Sequence, residues 1–413
     1  MTQPTPPNEP RREDLIYDWN LVDAPPKPTH RAAFDDESLR DGLQSPSVKT
    51  PTIEQKIEIL HKVHALGIDS INLGLPGAGA HAVRDVEALA REIVRTGMKI
   101  DPNCAARTIE ADIRPVAEIQ QRTGLSLESA VFLGSSQIRL LVEEWDLAKL
   151  LKLTIDAVDF AVKHELRVMY VTEDTTRTHP HVVDQLYRAA IEHGATRVVV
   201  CDTVGHATPN GTRQLISRVK ALIRATNPAV QLDWHGHRDR GLDVINAITA
   251  YEAGADRLHG AAIGIGERAG NCPMDTLLVN MKLLGYIDND LRGLMDYVRA
   301  VSKYTEVPIP TNYPVVGSDA FETATGVHAA AVAKALARGD TWLANRVYSG
   351  VPADQFGLEQ KITVGPMSGK SNCVFWLNHH GIEATEARVD QVFALAKKSD
   401  HVLTDDEIRA VLA

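Results

Sequence analysis

The segment His235-Gly236-His237 places two imidazoles two residues apart. In an extended strand such residues face the same side, so both rings can present nitrogen to one point while the intervening glycine leaves room. Far upstream, Arg40-Asp41-Gly42 sets a carboxylate beside a guanidinium. Two histidines and one carboxylate make a metal-binding set with positions open for substrate. A divalent ion held in this way polarises a carbonyl, and a neighbouring arginine steadies the anion that develops on it. The expected chemistry is metal-assisted work on an oxo-acid. Read singly, Arg-Asp-Gly is a turn with a surface ion pair, and strand histidines are commonly core groups. Their combination points to Asp41, His235 and His237 as ligands of zinc, manganese, magnesium or cobalt, all compatible with nitrogen and oxygen donors.

Two further loops carry polar residues of the right kind. Gly264-Ile265-Gly266-Glu267-Arg268-Ala269-Gly270-Asn271 is dense in glycine, which allows a close backbone approach to a ligand. Asn271 is placed to offer its side-chain oxygen to the metal, with Glu267 and Arg268 bracing the loop by ion pairing. In Glu173-Asp174-Thr175-Thr176-Arg177-Thr178 the threonines and acids cap the helix that follows, while Glu173 positions water or a proton and Arg177 holds the loop.

These residues need a scaffold that gathers them. From about residue 31, short apolar or β-branched runs alternate with amphipathic stretches. The runs span 31–36, 67–74, 97–106, 128–134, 166–174, 196–202, 230–237 and 256–264, with helical patterns such as 52–66 and 145–165 between them. Such alternation implies right-handed βαβ units and a parallel sheet. Eight units, with no dinucleotide fingerprint, favour a (β/α)8 TIM barrel over an open doubly wound sheet. In a barrel, Asp41, Glu173, Thr203, His235 and His237 all fall at C-terminal strand ends, where such folds carry their sites. The expected domains are a Pro-rich arm (1–29), the barrel (30–290), a helical and irregular accessory region (291–365) and a small C-terminal subdomain (366–413) with two terminal helices.

Composition narrows the class. The 413 residues are 44% hydrophobic and 24% charged, with a net charge of −10. That balance argues against nucleic acid or an anionic membrane as the main partner. Cys104, Cys201, Cys272 and Cys373 form no CxxC pair and fit a reducing compartment. No apolar run reaches transmembrane length, so a cytoplasmic protein is expected.

Three motifs together resemble the metal-dependent aldolase-type barrels that include 2-isopropylmalate, homocitrate and citramalate synthases and the hydroxymethylglutaryl-CoA lyases. They are D-x-x-L-R-D-G-x-Q at Asp36 to Gln44, H-x-H-x-D-x-G at His235 to Gly241, and G-x-G-E-R-x-G-N at Gly264 to Asn271. The glycine loop has the synthase form rather than the cysteine-bearing lyase form. Residues 321–334 (FETATGVHAAAVAK) resemble the synthase segment that supplies an accessory histidine, here His328, with Tyr348 as its partner.

The resemblance implies a Claisen-type condensation of acetyl-CoA with a 2-oxoacid, most closely of the 2-isopropylmalate synthase kind. Asp41, His235 and His237, with Asn271 close by, would hold the metal. Arg40 would stabilise the alkoxide, and Gln44 and Thr203 would meet the substrate. His328 with Tyr348, and Glu173 through water, would handle the proton. The accessory region would pack over a neighbouring subunit's barrel, implying a homodimer.

The chain departs from the pattern at Asn72, where a glutamate is usual, at Ala329-Ala330, and at Ser135 to Arg139. Arg139 has two readings: a cation for a second acidic group on the substrate, or a partner for Glu143 or Glu144 on its own helix. Ending at residue 413, the chain is expected to lack leucine feedback through an appended domain. A homocitrate-type, citramalate-type or other alkylmalate synthase, an acyl-CoA lyase on the same barrel and a non-catalytic oxo-acid binder are the alternatives.

Overall fold

The β-branched runs form strands buried along nearly their whole length, as a sheet covered on both faces demands. A computed structural model describes residues 11–413. Strands β1 (Ala33–Asp36), β2 (Ser70–Asn72), β3 (Asp101–Arg107), β4 (Glu128–Gly134), β5 (Arg167–Glu173), β6 (Arg197–Asp202), β7 (Gln231–Gly236) and β8 (Arg257–Gly260) make a closed, all-parallel barrel. β8 closes it by pairing with β1, Asp35 opposite His259. The helices that follow the strands are α1 (Ile53–Ala65), α2 (Ala80–Thr96), α3 (Glu110–Thr123), α4 (Gln137–Glu143), α5 (Leu147–Lys163), α6 (Pro180–Glu192), α7 (Pro209–Thr226), α8 (Asp243–Ala253) and α9 (Met274–Leu283). The fold is the expected TIM barrel.

Local backbone chemistry trims several elements. The helical pattern over 145–165 starts only at Leu147, because Glu144 turns left-handed (φ 54°) and Asp146 caps α5 by accepting from the Lys149 amide. The run 256–264 is extended only to Gly260, and the left-handed Ile263 (φ 48°) bends the remainder into a single 3-10 turn. The run 67–74 keeps three strand residues.

The barrel's core does not stop at residue 290. It takes in α10 (Leu294–Thr305) and reaches Phe321 and Phe356. Beyond it, α11 (Gly326–Ala337), α12 (Thr341–Ala344) and a two-strand pair, β9 (Glu322–Thr323) with β10 (Lys361–Ile362), surround a small core of Ala329, Val332, Ala335, Ala344 and Ile362. A third core, with Trp376, Leu377, Val392 and Ile408, joins α13 (Lys370–His379), α14 (Glu386–Lys398) and α15 (Asp405–Leu412). α13 was not anticipated from sequence, whereas the last two helices were. Of the Pro-rich arm, residues 1–10 lie outside the described residues. Arg12 donates to Asp340 and lies over the Trp342 ring.

A buried polar knot ties α10 to the first strand. The Tyr297 hydroxyl donates to Asp36 and lies 3.1 Å from Ser38 Oγ, which accepts from the Ala262 amide at 2.9 Å. The knot links the loops after β1 and β8, which both border the strand ends. Tyr297→Phe leaves the Asp36 carboxyl short of a donor, so chemical denaturation should show a loss of about 1–3 kcal/mol. Burial pushes Asp36 up from 3.8 to about 7. The folded chain thus holds this proton more tightly than the unfolded chain. Stability from this group should fall as pH rises from 3.8 to about 7 and then level. Asp36→Asn should remove that part of the slope, read from denaturation midpoints across the range.

Candidate metal centre

The loop after β1 turns straight back over the barrel mouth, its Arg40 and Gly42 amides donating to the Glu37 carbonyl at 3.1 and 3.0 Å. This brings Asp41 against the end of β7. His235 Nε2 and His237 Nε2 lie 3.1 Å apart, and Asp41 Oδ2 is 4.0 Å from the first and 3.7 Å from the second. All three residues are buried.

The orientation of each donor is set from behind. His235 Nδ1 lies 2.7 Å from Glu37 Oε2. A nitrogen that close to a carboxylate carries the ring proton, which leaves the lone pair on Nε2 facing the mouth. Arg40 spans two carboxylates, Nη1 to Asp41 Oδ1 at 2.6 Å and Nη2 to Glu37 Oε1 at 2.8 Å. Against the effect of burial, the Arg40 guanidinium holds Asp41 below the usual carboxylate range. Burial holds His237 down to about 4, so at neutral pH its ring is uncharged.

This set fits a divalent cation. Donors ~2.1 Å from a single ion stand roughly 3 to 4 Å from one another. Asp41 Oδ2 is buried with no hydrogen-bond partner in the protein, as is Asn271 Oδ1. The Asn271 amide nitrogen donates to the Ile265 carbonyl, and a backbone bridge sets Asn271 beside His237. The glycine loop makes that approach possible. Gly270 (φ 107°) has no room for a Cβ against the Gly264 carbonyl, and a Cβ on Gly266 (φ 150°) would collide with the Asn271 amide.

The centre forms one wall of a cavity at the C-terminal strand ends. Glu37, Arg40, Gln44, Asn72, Glu173, Thr203, Glu267 and Arg268 line it, with an apolar floor of Ala105, Ala130, Phe132, Met169, Val171 and Val199. Arg40 Nε is buried and without a partner. Burial raises Glu173 above the ordinary carboxylate range, with Arg139 and Arg40 opposing the shift. Arg268 braces the loop through Asp239 at 2.9 Å, and Arg177 grips Asp174 with two 2.7 Å bonds.

Several residues stand elsewhere than at the metal. Arg139 pairs with Glu143 on its own helix at 3.1 Å and is half exposed, the arrangement its second reading describes. His328 and Tyr348 stack on each other, ring centroids 4.1 Å apart, but both are exposed and neither lines this chain's cavity. The threonines after β5 do not cap α6, since His179 holds that position without a side-chain bond. Instead Thr175 bonds Thr172 at 2.7 Å and Thr176 donates to Asp202 at 2.8 Å, stitching β5 to β6.

Glu37 and His259 were not singled out from sequence. Glu37 is the second residue of the first motif, and its strand-like neighbourhood of three acids, Asp35-Asp36-Glu37, is the one signal that could have marked it.

The HMGL-like family model matches residues 31–301. A probable 2-isopropylmalate synthase from Methanopyrus kandleri is 32% identical over 371 residues, 89% of this chain and 70% of that protein. Homocitrate synthase AksA from the same organism is 32% identical over 88% of this chain and 86% of that one. A homocitrate synthase from Saccharolobus solfataricus is 30% identical over 88% and 75%. The chain belongs to the HMGL-like family, alongside 2-isopropylmalate and homocitrate synthases. Among solved structures, the HMG-CoA lyase from Bacillus subtilis shares the barrel (TM-score 0.57, 20% identity, 70% of this chain and 97% of that chain). The HMG-CoA lyase from Pseudomonas aeruginosa does so as well (TM-score 0.55, 20% identity, 67% and 93%). No helix among the described residues is long and apolar enough to cross a membrane.

In this HMGL-like protein, Asp41→Asn or His237→Ala should release the cation, whereas His328→Ala should retain it. Metal content per chain after gel filtration, by elemental analysis, checks this; full occupancy in His237→Ala would refute the assignment.

Proposed function

We propose that the protein is an acyl-CoA:2-oxoacid condensing transferase of the 2-isopropylmalate synthase kind, joining acetyl-CoA to a 2-oxoacid whose side chain is apolar. The cavity's charge distribution carries the finer part of this reading. Its lining cations are Arg40, Arg268 and, at the floor, His259, whose charge is taken up by Asp233 and Glu37. Arg40 has two of its nitrogens on Glu37 and Asp41, and Arg268 is committed to Asp239 and the Thr203 carbonyl. Arg40 keeps Nε without a hydrogen-bond partner. That suits one oxo-acid head, while the aliphatic floor suits a hydrocarbon tail. The homocitrate reading rests on Arg139, whose charge reaches Glu173 across the mouth.

Asp41, His235 and His237, with Asn271 beside them, would hold the divalent ion, which when bound supplies Lewis-acid polarisation of the keto group. Arg40 Nε is placed to donate to the oxygen as it gains charge. Thr203, whose Oγ1 accepts from the Asp174 amide at 2.8 Å, keeps its hydroxyl proton free for the substrate carboxylate. Gln44 borders the same space. The acetyl methyl proton goes to His328, with Tyr348 stacked against it, and Glu173 passes protons through water at its carboxylate. The new carbon–carbon bond converts the ketone to a hydroxyl, and water then cleaves the thioester to release CoA.

His328 and Tyr348 serve a barrel other than their own, so the working unit is a homodimer. Two exposed apolar patches fit that assembly: Ile138, Leu141 and Val142 on α4 at the mouth, 56%, 79% and 73% exposed, and Val327 beside His328, 72% exposed.

Free-thiol release from acetyl-CoA with metal present tests the reading. The highest kcat/KM should come with a branched aliphatic 2-oxoacid such as 2-oxoisovalerate, and the lowest with 2-oxoglutarate. A preference for 2-oxoglutarate would move the reading to the homocitrate type, and silence across both, pyruvate and longer analogues would overturn it. His328→Ala should lower kcat by about 10²–10⁴-fold. Co-expressing it with His235→Ala should restore part of the activity, because mixed dimers keep one complete site.

A further inference from the structure

Beneath the metal centre runs a continuous line of buried charged groups. Glu37 lies 2.7 Å from His235 Nδ1 and 3.5 Å from His259 Nδ1. His259 Nε2 is 3.0 Å from Asp233 Oδ2, which also accepts from Arg257 Nε at 2.7 Å. Arg257 extends to Glu128 at 3.0 Å. Glu37, His259, Asp233 and Arg257 are each at most 2% exposed. All four are enclosed, and each lies within ion-pair distance of the next.

We infer that Glu37, held in place by His259, is a positioning residue for the metal centre, acting through His235 rather than as a ligand. The inference rests on the reading that Asp41, His235 and His237 hold a cation. Three features separate this role from plain ion pairing. Glu37 meets the ring nitrogen of His235 that faces away from Asp41. Its other oxygen holds Arg40, so one carboxylate aligns both a ligand and the oxyanion donor. And the histidine that braces it is itself anchored on an aspartate–arginine pair at the barrel's centre. A free imidazole in water favours the proton on Nε2, so the carboxylate behind Nδ1 must choose the metal-competent tautomer and fix the ring plane.

Zinc affinity of the full chain, measured by competition with a chromophoric chelator and without substrate, tests this independently of turnover. Glu37→Gln should weaken zinc about 10–100-fold, the range for outer partners of ligating histidines. In the metal-free Glu37→Gln chain the His235 ring should shift toward the Nε2-protonated form, whereas a merely structural role would leave its tautomer unchanged. His259→Gln, which keeps a donor for Asp233, should weaken zinc less than Glu37→Gln does. Long-range ¹H–¹⁵N spectra of the metal-free wild type should show His235 protonated on Nδ1, a readout that needs no variant to fold. Wild-type affinity in both variants, an Nε2-protonated His235, or two zinc ions per chain would overturn the inference; the last would make Glu37 and His259 ligands. If the wild type binds no zinc at all, the metal reading itself fails, a result distinct from any of these.

Discussion

Charges buried inside a barrel are tolerated only when each meets an opposite charge, and that constraint organises this molecule. Asp35, Glu37, Asp41, Glu128 and Asp233 are buried within the barrel, the last four paired with the guanidinium groups of Arg40, Arg197 and Arg257 and Asp35 lying beside His259 and Asn103. Five carboxylates against three arginines leave negative charge in excess. His259 offsets part of it, since Asp233 and Glu37 raise its pKa to about 10 against the effect of burial. At the mouth, the divalent cation proposed for Asp41 and the two β7 histidines would meet the one negative charge that this count leaves. Removing one partner from such a set costs far more than an exposed ion pair would. The ligand geometry and the interior of the barrel are therefore one electrostatic unit.

Much of this was legible in the sequence because period and spacing carry it. The β-branched runs and the helical stretches between them announced eight βα units, and the i, i+2 histidines announced their shared face. Asp41, two hundred residues upstream, becomes a neighbour simply because every strand end opens on the same rim. What stayed hidden depends on contacts that leave no local pattern. Nothing near His259 in sequence shows that it lies between Asp233 and Glu37. The break before α5 turns on one left-handed glutamate, and the threonines after β5 cap no helix because their hydroxyls are taken by β5 and β6. Spacing could not separate Arg139's two readings, since a cation four residues from a glutamate satisfies both; the structure adds its bond to Glu143.

The accessory elements follow a different logic. α11 and α12 with β9 and β10, and then α13 to α15, each gather a separate small apolar core. Their packing does not depend on the charges within the barrel. His328 and Tyr348 are thus carried beside an apolar core separate from the barrel that holds the metal centre. Chemistry contributed from such a platform reaches a barrel by docking and not by folding.

The arginine at the barrel's axis has a consequence for how the protein responds to heat. Barrel interiors are ordinarily stacked layers of Val, Ile and Leu, whose cohesion plateaus on warming. Here Arg257, fully enclosed, binds Asp233 and Glu128 at that depth. The hydration that competes with such ion pairs becomes less favourable as temperature rises. The middle of this barrel is built so that its cohesion holds up in the range where a hydrocarbon filling gains nothing more.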